Sequence, residues 1–397
     1  MRPIFALLTF VLIGCSQNGD AVKTLDPLTA ATSTFGTSID FNALANYANQ
    51  SKPAYITKDN AGGNGIIDKQ ATLGRILFYD KHLSIDNSIS CASCHKQTFA
   101  FGDTAIQSAG VSNGKTIRHS MRLINARFAN ESKFFWNERA SSLEVQTTMP
   151  IQDHLEMGFS GQTGRGNLTT LITKLQAIPY YPELFTWAYG DNRVTETRMQ
   201  SALAQFVRSI QSFDSKYDAG RAVIGNDAAP FPNFSAVENQ GKTLFLTPPV
   251  FNANGERIAG GFGCQGCHQS PEFDIDPNSR NNGIIAVIGS TDFDVDVTRA
   301  PSLRDLTNAQ GVVNTPLMHT GGVKGLNNML NHYNSINTPP RNTNLDPRLR
   351  PNNRGQQLLM TADEITAVVQ FLRTLSGKNV YVDKKWSDPF LQKIAFS

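Results

Sequence analysis

The chain has 397 residues, enough to bury two ordinary hydrophobic cores, and 40% hydrophobic with 17% charged residues is a globular composition that excludes disorder. Its formal charge of +3, from 36 basic and 33 acidic side chains, gives no footing for a nucleic-acid partner. Of five cysteines, four fall in two C-x-x-C pairs and one lies near the start, so no disulfide framework is available.

Residues 1–15 read as a leader: Arg2, an apolar run from Ile4 to Ile13, then Gly14-Cys15. The run is too short to span a bilayer as a mature helix. Leu12-Ile13-Gly14-Cys15 resembles a bacterial lipobox, which makes Cys15 the acylated first residue of a periplasmic lipoprotein anchored without a membrane span; a plain cleaved signal peptide is the alternative. Residues 16–50, rich in Thr, Ser, Asn and Ala with weak periodicity, are expected to form a flexible tether.

The spacing of Leu73, Ile76, Leu77 and the neighbouring aromatics predicts a helix over 69–79, just ahead of Cys91-Ala92-Ser93-Cys94-His95. In a C-x-x-C-H run, two thiols one helical turn apart can form thioethers to haem vinyl groups, and the following His offers an imidazole to the iron. The pattern returns as Cys264-Gln265-Gly266-Cys267-His268. A zinc site made from the four thiols would need no His at both fifth positions, and a redox dithiol would need no second copy. Two covalently bound haem c groups are the reading, and their propionates would cancel the small positive charge.

The repeat extends beyond the motifs. Leu73-Gly74-Arg75-Ile76-Leu77-Phe78 is echoed by Gln240-Gly241-Lys242-Thr243-Leu244-Phe245 ahead of the second motif. A closing amphipathic helix follows each, with Met199, Ala202, Leu203, Phe206, Val207 and Ile210 as one stripe and Ile365, Val368, Val369 and Leu372 as the other, the latter behind a Thr361/Glu364 capping box. Further helices are predicted over 141–152, started by Ser141 and Glu144, and over 168–178 and 182–189. The second half is loop-rich from 250 to 325, with short strands expected at Ile284-Ile285 and Val287-Ile288. The fold class is mainly α: two cytochrome c-like domains with loop-rich insertions, divided as 51–225 and 226–397, because Gly225, Asn226, Asp227, Pro230 and Pro232 interrupt any helix between them.

With those phrases in place, the chain resembles the bacterial di-haem cytochrome c peroxidases, including their MauG-like branch, from about residue 73 to 377. Phe135-Trp136-Asn137-Glu138-Arg139-Ala140, Glu156-Met157-Gly158, Phe213-Asp214-Ser215 and Met318-His319-Thr320-Gly321-Gly322 carry the resemblance beside the two haem motifs. It implies that the N-terminal haem, held by Cys91, Cys94 and His95, is the peroxide site. The C-terminal haem, held by Cys264, Cys267 and His268, then relays electrons. It further implies that Trp136 carries electrons between them, that Glu156 is the distal proton carrier, and that Gln146 orients peroxide. A carboxyl buried beside haem should have a raised pKa.

Two departures from the peroxidases qualify this. The loop 96–118 holds no His to cap the catalytic iron, so an open site is expected in the oxidised protein, with His154 and His119 as weaker stand-ins. Tyr333 stands where the peroxidases have a Met ligand and MauG-like proteins a Tyr, so it is the expected distal ligand of the second iron, with Met318 and Met329 as rivals. The resemblance also implies a calcium ion between the domains near Asn314 and Pro316, although His119 replaces the Asn expected of the first domain. Asp292, Asp294 and Asp296 are read as a solvated acidic loop rather than a cation site. Family members are often dimers.

The expected function is reduction of hydrogen peroxide with electrons from a small cytochrome c or cupredoxin. The alternatives are a MauG-like oxidase acting on a protein or organic substrate through a high-valent iron state, and a passive electron-transfer cytochrome.

Overall fold

The computed structural model describes residues 28–314 and 316–390. The leader, Cys15 included, lies outside the described residues. Among the described residues of the first half, seven α-helices form: α1 (Thr29–Phe35), α2 (Asp68–Tyr79), α3 (Cys91–Cys94), α4 (Leu143–Gln152), α5 (Leu168–Gln176), α6 (Tyr180–Tyr189) and α7 (Glu196–Ser209). They enclose one core, running from Ala31 to Ile210. Around the second core are α8 (Lys216–Val223), α9 (Ala236–Leu246), α10 (Leu326–Asn334) and α11 (Ala362–Arg373). Two small antiparallel hairpins join them, β1 (Pro249–Phe251) with β2 (Arg257–Gly260) and β3 (His268–Gln269) with β4 (Asp274–Ile275). The protein is mainly helical, and none of the described helices is long and apolar enough to cross a membrane.

One packing device is used twice. α2 lies across α7 and α9 lies across α11. A Cβ on Gly74 would sit 1.9 Å from the Ala202 carbonyl oxygen of α7, and one on Gly241 1.9 Å from the Ala367 carbonyl oxygen of α11. The two helix backbones touch at these glycines, which is the physical content of the repeated phrase. The stripes on α7 and α11 supply the buried faces, and Thr361 and Glu364 form the capping box, with Glu364 N–H donating to Thr361 Oγ1 at 3.2 Å and Thr361 N–H to Glu364 Oε2 at 2.9 Å. α4 is capped one residue later than the sequence suggests: Ser142 Oγ accepts from Val145 N–H at 3.3 Å.

Three expectations are corrected. Residues 28–50 are not a tether. Ala31, Phe35, Ile39 and Tyr47 enter the first core, and Glu183 of α6 accepts from the Ala30 and Ala31 amides at 3.0 and 2.9 Å, satisfying the α1 N-terminus. Ala31, Phe35 and Ile39 do follow a four-residue spacing, but among the small polar residues of this stretch the period is too short to stand out. The change of core falls between Ile210 and Tyr217 rather than at 225–226, and the chain does not stay in its second unit to the end. α12 (Asn379–Val382) and Trp386 return to the first core, where Trp386 Nε1–H donates to Ser209 Oγ at 3.2 Å and Tyr79 Oη–H to the Trp386 carbonyl at 2.6 Å. Finally, 284–288 forms no strand; an isolated bridge joins Ala286 to Phe293.

Candidate functional site

α3 is a single turn held by its own serines: Ser90 N–H donates to Ser93 Oγ at 3.0 Å, and His95 N–H closes onto the Cys91 carbonyl at 3.0 Å. Ala100 and Phe101 then take left-handed φ values of 58° and 56°, turning the chain so that the Phe101 carbonyl meets the His95 ring. His95 Nδ1–H donates to that carbonyl at 3.0 Å. A carbonyl only accepts, so the proton sits on Nδ1 and Nε2 keeps its lone pair. Burial depresses the His95 pKa and keeps the ring neutral.

Cys91, Cys94, His95, Trp136, Gln146 and Glu156 all line one cavity of about 180 Å³. Gln146 projects from α4. Glu156 is held beyond the end of α4 by Asp153, whose Oδ1 accepts from the Leu155 and Glu156 amides at 2.8 and 3.1 Å. Val111 N–H grips the Glu156 carbonyl at 3.0 Å, and Gly110 lies so close that a Cβ there would be 1.8 Å from the Leu155 oxygen. Burial pushes the Glu156 carboxyl up to about 7; nearby Asp153 adds to the rise and Arg139 opposes it. Among the described residues, neither the Glu156 carboxyl nor the Gln146 amide has a hydrogen-bond partner, which leaves both free to meet a ligand. His154 is not in this wall, and its Nδ1 meets Ser160 Oγ at 2.9 Å. His119 is in the wall, with Nδ1–H committed to the Ala105 carbonyl at 2.9 Å.

The second cavity is larger, about 800 Å³, and is lined by Cys264, Cys267, His268, Pro316, Met318, Met329 and Tyr333. A 3₁₀ turn, Cys264–Gly266, carries the first thiol, and His268 opens β3. Burial lowers the His268 pKa to about 4, and its Nδ1 lies against the Pro301 carbonyl without completing a hydrogen bond. Asn282 Nδ2–H donates to Tyr333 Oη at 3.1 Å and lies 3.4 Å from Met318 Sδ, so one amide steadies two of the three expected ligands. Burial raises the Tyr333 pKa.

His119, Arg122, Trp136, Arg299 and Pro301 belong to both walls. Trp136 Nε1–H donates to the His119 carbonyl at 2.7 Å, and His119 N–H to the His319 carbonyl at 2.7 Å. The Trp136 ring meets that of His319 edge to face at 6.1 Å. Asn314 stands apart, donating from Nδ2 to the Asp305 carbonyl at 2.8 Å and to Tyr381 Oη at 2.9 Å. Asp294 pairs with Arg118, and among the described residues no three His, Cys, Asp or Glu side chains are placed to hold a metal together.

The donor sets fit haem c. All four thiols are unpaired, and burial pushes Cys91 and Cys264 up to about 12 and Cys94 and Cys267 up to about 11. Thiols held neutral in this way are poor redox dithiols, and among the described residues no cluster of three His, Cys, Asp or Glu side chains is placed for zinc. The second cavity also has cofactor-sized room, while at the narrower first one the fit rests on its thiols and its lone-pair imidazole nitrogen. Two C-x-x-C-H walls sharing one partition define the class: a di-haem c-type cytochrome.

Comparison with known proteins takes the assignment further. Residues 68–226 match the family described as di-haem cytochrome c peroxidase. The chain is 32% identical over 282 residues to the methylamine utilization protein MauG of Methylophilus methylotrophus, covering 68% of this chain and 74% of that protein. Identity is 28% over 387 residues with MauG of Methylorubrum extorquens, covering 95% and 96% of the two chains. It is 27% over 325 residues with cytochrome c551 peroxidase of Pseudomonas aeruginosa, covering 81% and 82%. In fold it is similar to a MauG-like protein associated with microbial copper homeostasis, with a TM-score of 0.65 over 86% of this chain and 99% of that one at 24% identity. The chain belongs to the di-haem cytochrome c peroxidase and MauG family, a family of oxidoreductases that carries two haem c groups.

Sequence reasoning did not find Arg122, Asn282 or Arg299. Each acts from a loop with no helical or strand period, so nothing in its spacing marks it. Only the fold puts Arg122 and Arg299 in the shared partition and Asn282 in the wall of the second cavity.

Proposed function

We propose that the protein reduces hydrogen peroxide to two waters, consuming two protons and two electrons, the electrons coming from a small cytochrome c or cupredoxin. The observation that carries this is Glu156, whose carboxyl burial pushes up to about 7, in the same cavity wall as His95. Cys91 and Cys94 would hold one haem by thioethers and His95 would ligate it, with Cys264, Cys267 and His268 doing the same for the other. When bound, the haems supply iron able to take up peroxide and exchange electrons with it.

The chain's own residues do the rest. Glu156, half ionised near neutrality, accepts a proton from the entering peroxide and returns it to the departing oxygen. Gln146, with its amide uncommitted, hydrogen-bonds the peroxide and orients it. Trp136, set in the partition and fixed by its bond to His119, passes electrons between the two cavities. A purely electron-carrying cytochrome would have no use for a free, proton-exchanging carboxyl in the wall.

A second reading, a MauG-like oxidase acting on a protein or organic substrate, is favoured by one observation: Tyr333 Oη lies in the second cavity wall with Asn282 donating to it. A phenolate ligand favours ferric and higher iron states. Delivery to the periplasm and acylation of Cys15 complete the proposal. They rest on the leader's sequence and are tested by the mass of the mature N-terminus.

The deciding experiment is stopped-flow absorbance of the oxidised holoprotein mixed with peroxide, then with a reduced small cytochrome c. A fast spectral change followed by rapid oxidation of the cytochrome supports the peroxidase. A peroxide product that outlives the cytochrome supports the oxidase, and no reaction until the protein is half-reduced refutes an open first site.

A further inference from the structure

Among the described cations that line the two cavities, Arg139 and Arg280 form no ion pair but are exposed to solvent, and Arg122 is the one with a buried guanidinium nitrogen that meets no acceptor. Lys58 pairs with Asp274 at 2.7 Å, Arg118 pairs with Asp294, and Arg348 pairs with Asp346 at 2.7 Å and Asp276 at 2.8 Å. Arg299 borders both cavities too, but its guanidinium donates to the Lys133 carbonyl and lies over the Phe134 ring, with Glu138 as its main opposing charge. Arg122 has no carboxylate within ion-pair reach among the described residues. One of its nitrogens, Nη2, donates to the Ser302 carbonyl at 3.1 Å, and Nε is buried with no acceptor. Tyr381 and Asp305 are its nearest acidic neighbours, and they do not offset the burial, which lowers its pKa.

A buried guanidinium without an anion is strongly unfavourable, and a guanidinium never solves this by losing its proton. Arg122 is only half-buried by the chain itself and faces two cavities, so an anion held in those cavities is placed to answer its charge. Arg122 borders both cavities at once and, through Ser302, reaches from the first domain to a loop of the second. The anions that family membership brings to both cavities are haem propionates, whose carboxylates match the guanidinium fork.

We propose that Arg122 is a shared propionate anchor, binding a carboxylate of each haem across the partition. A single fixed positive charge in the walls of both cavities would favour the reduced form of a haem held in each. Arg122 is thus a positioning residue that raises the two potentials together and ties the two cofactors to one point. The inference rests on the two haems and not on the peroxide reaction, so it can fail or stand independently of the proposed function.

The test is spectroelectrochemical titration of the holoprotein carrying Arg122→Gln, with haem content and the Soret band as controls for maturation. Both midpoint potentials are expected to fall, and Arg122→Lys, which keeps the charge, is expected to restore most of each shift. A shift of one potential alone, or of neither, overturns the shared anchor. Should Arg122→Gln fail to mature with two haems, the decision passes to resonance Raman spectra of Arg122→Lys. There the propionate-bending bands of both haems should move relative to the native protein, and unmoved bands overturn the proposal.

Discussion

Glu156→Gln keeps the size of the side chain and removes its exchangeable proton. General acid–base catalysis is worth about 100- to 10,000-fold, so peroxide turnover should drop by that factor, ~3–5 kcal/mol on the barrier. The pH profile is the sharper readout. Burial lifts the carboxyl from 4.5 to about 7, so below that pH Glu156 already holds a proton and cannot accept one. The second-order rate with peroxide should therefore rise as pH increases through about 7 and level off above it, and Glu156→Gln should be slow and flat. Stability moves the other way. A carboxyl with a raised folded pKa favours the folded state fully below its unfolded value and loses that contribution as pH climbs through about 7. That rise amounts to at most ~3.4 kcal/mol, less whatever solvent in the cavity screens. Above pH 7, Glu156→Gln should thus unfold at higher denaturant than the native protein. A variant that retains the native rate and the native pH profile would refute the role of Glu156.

The helix crossings make an independent prediction. Gly74→Ala and Gly241→Ala force a Cβ into a carbonyl of the partner helix and should each cost about 2–3 kcal/mol in denaturant melts, while Gly63→Ala, with open space around it, should be near neutral. Asp218→Asn weakens an ion pair of 2.9 Å to Arg304, which is wholly buried, and should cost about 3–5 kcal/mol, seen as a lowered melting temperature. At the second cavity, Tyr333→Phe should change the ferric spectrum of one haem and leave the other. A sulfur-to-iron charge-transfer band in the native protein, lost in Met329→Leu or Met318→Leu, would instead assign the ligand to Met.

Much of the site was legible because haem attachment is a local chemistry. Cys91, Cys94 and His95 must be close in sequence to reach one macrocycle, and the same holds for Cys264, Cys267 and His268. The helix repeat was legible for a similar reason, since a stripe every three or four residues is written along the chain. Residues 28–50 and the return of Trp386 to the first core were not, because Ala31, Phe35 and Ile39 make a stripe too short to stand out from its polar surroundings and Trp386 packs far from its neighbours in sequence. Glu156, Gln146 and Trp136 lie between: their phrases pointed to a family, but nothing local placed them around one space.

By itself, then, the sequence determined two covalent haem sites and a mainly helical duplicated fold with a phrase repeated ahead of each haem motif. These follow from covalent spacing and from side-chain periodicity, both properties of neighbouring residues. The tertiary structure decided which groups share a wall, that the Glu156 carboxyl is desolvated to a pKa near 7, that Asn282 steadies Tyr333, and that Arg122 lies uncompensated between two cavities. Those are matters of burial and of approach across long stretches of chain, and desolvation acts on a group only once the rest of the protein has closed around it.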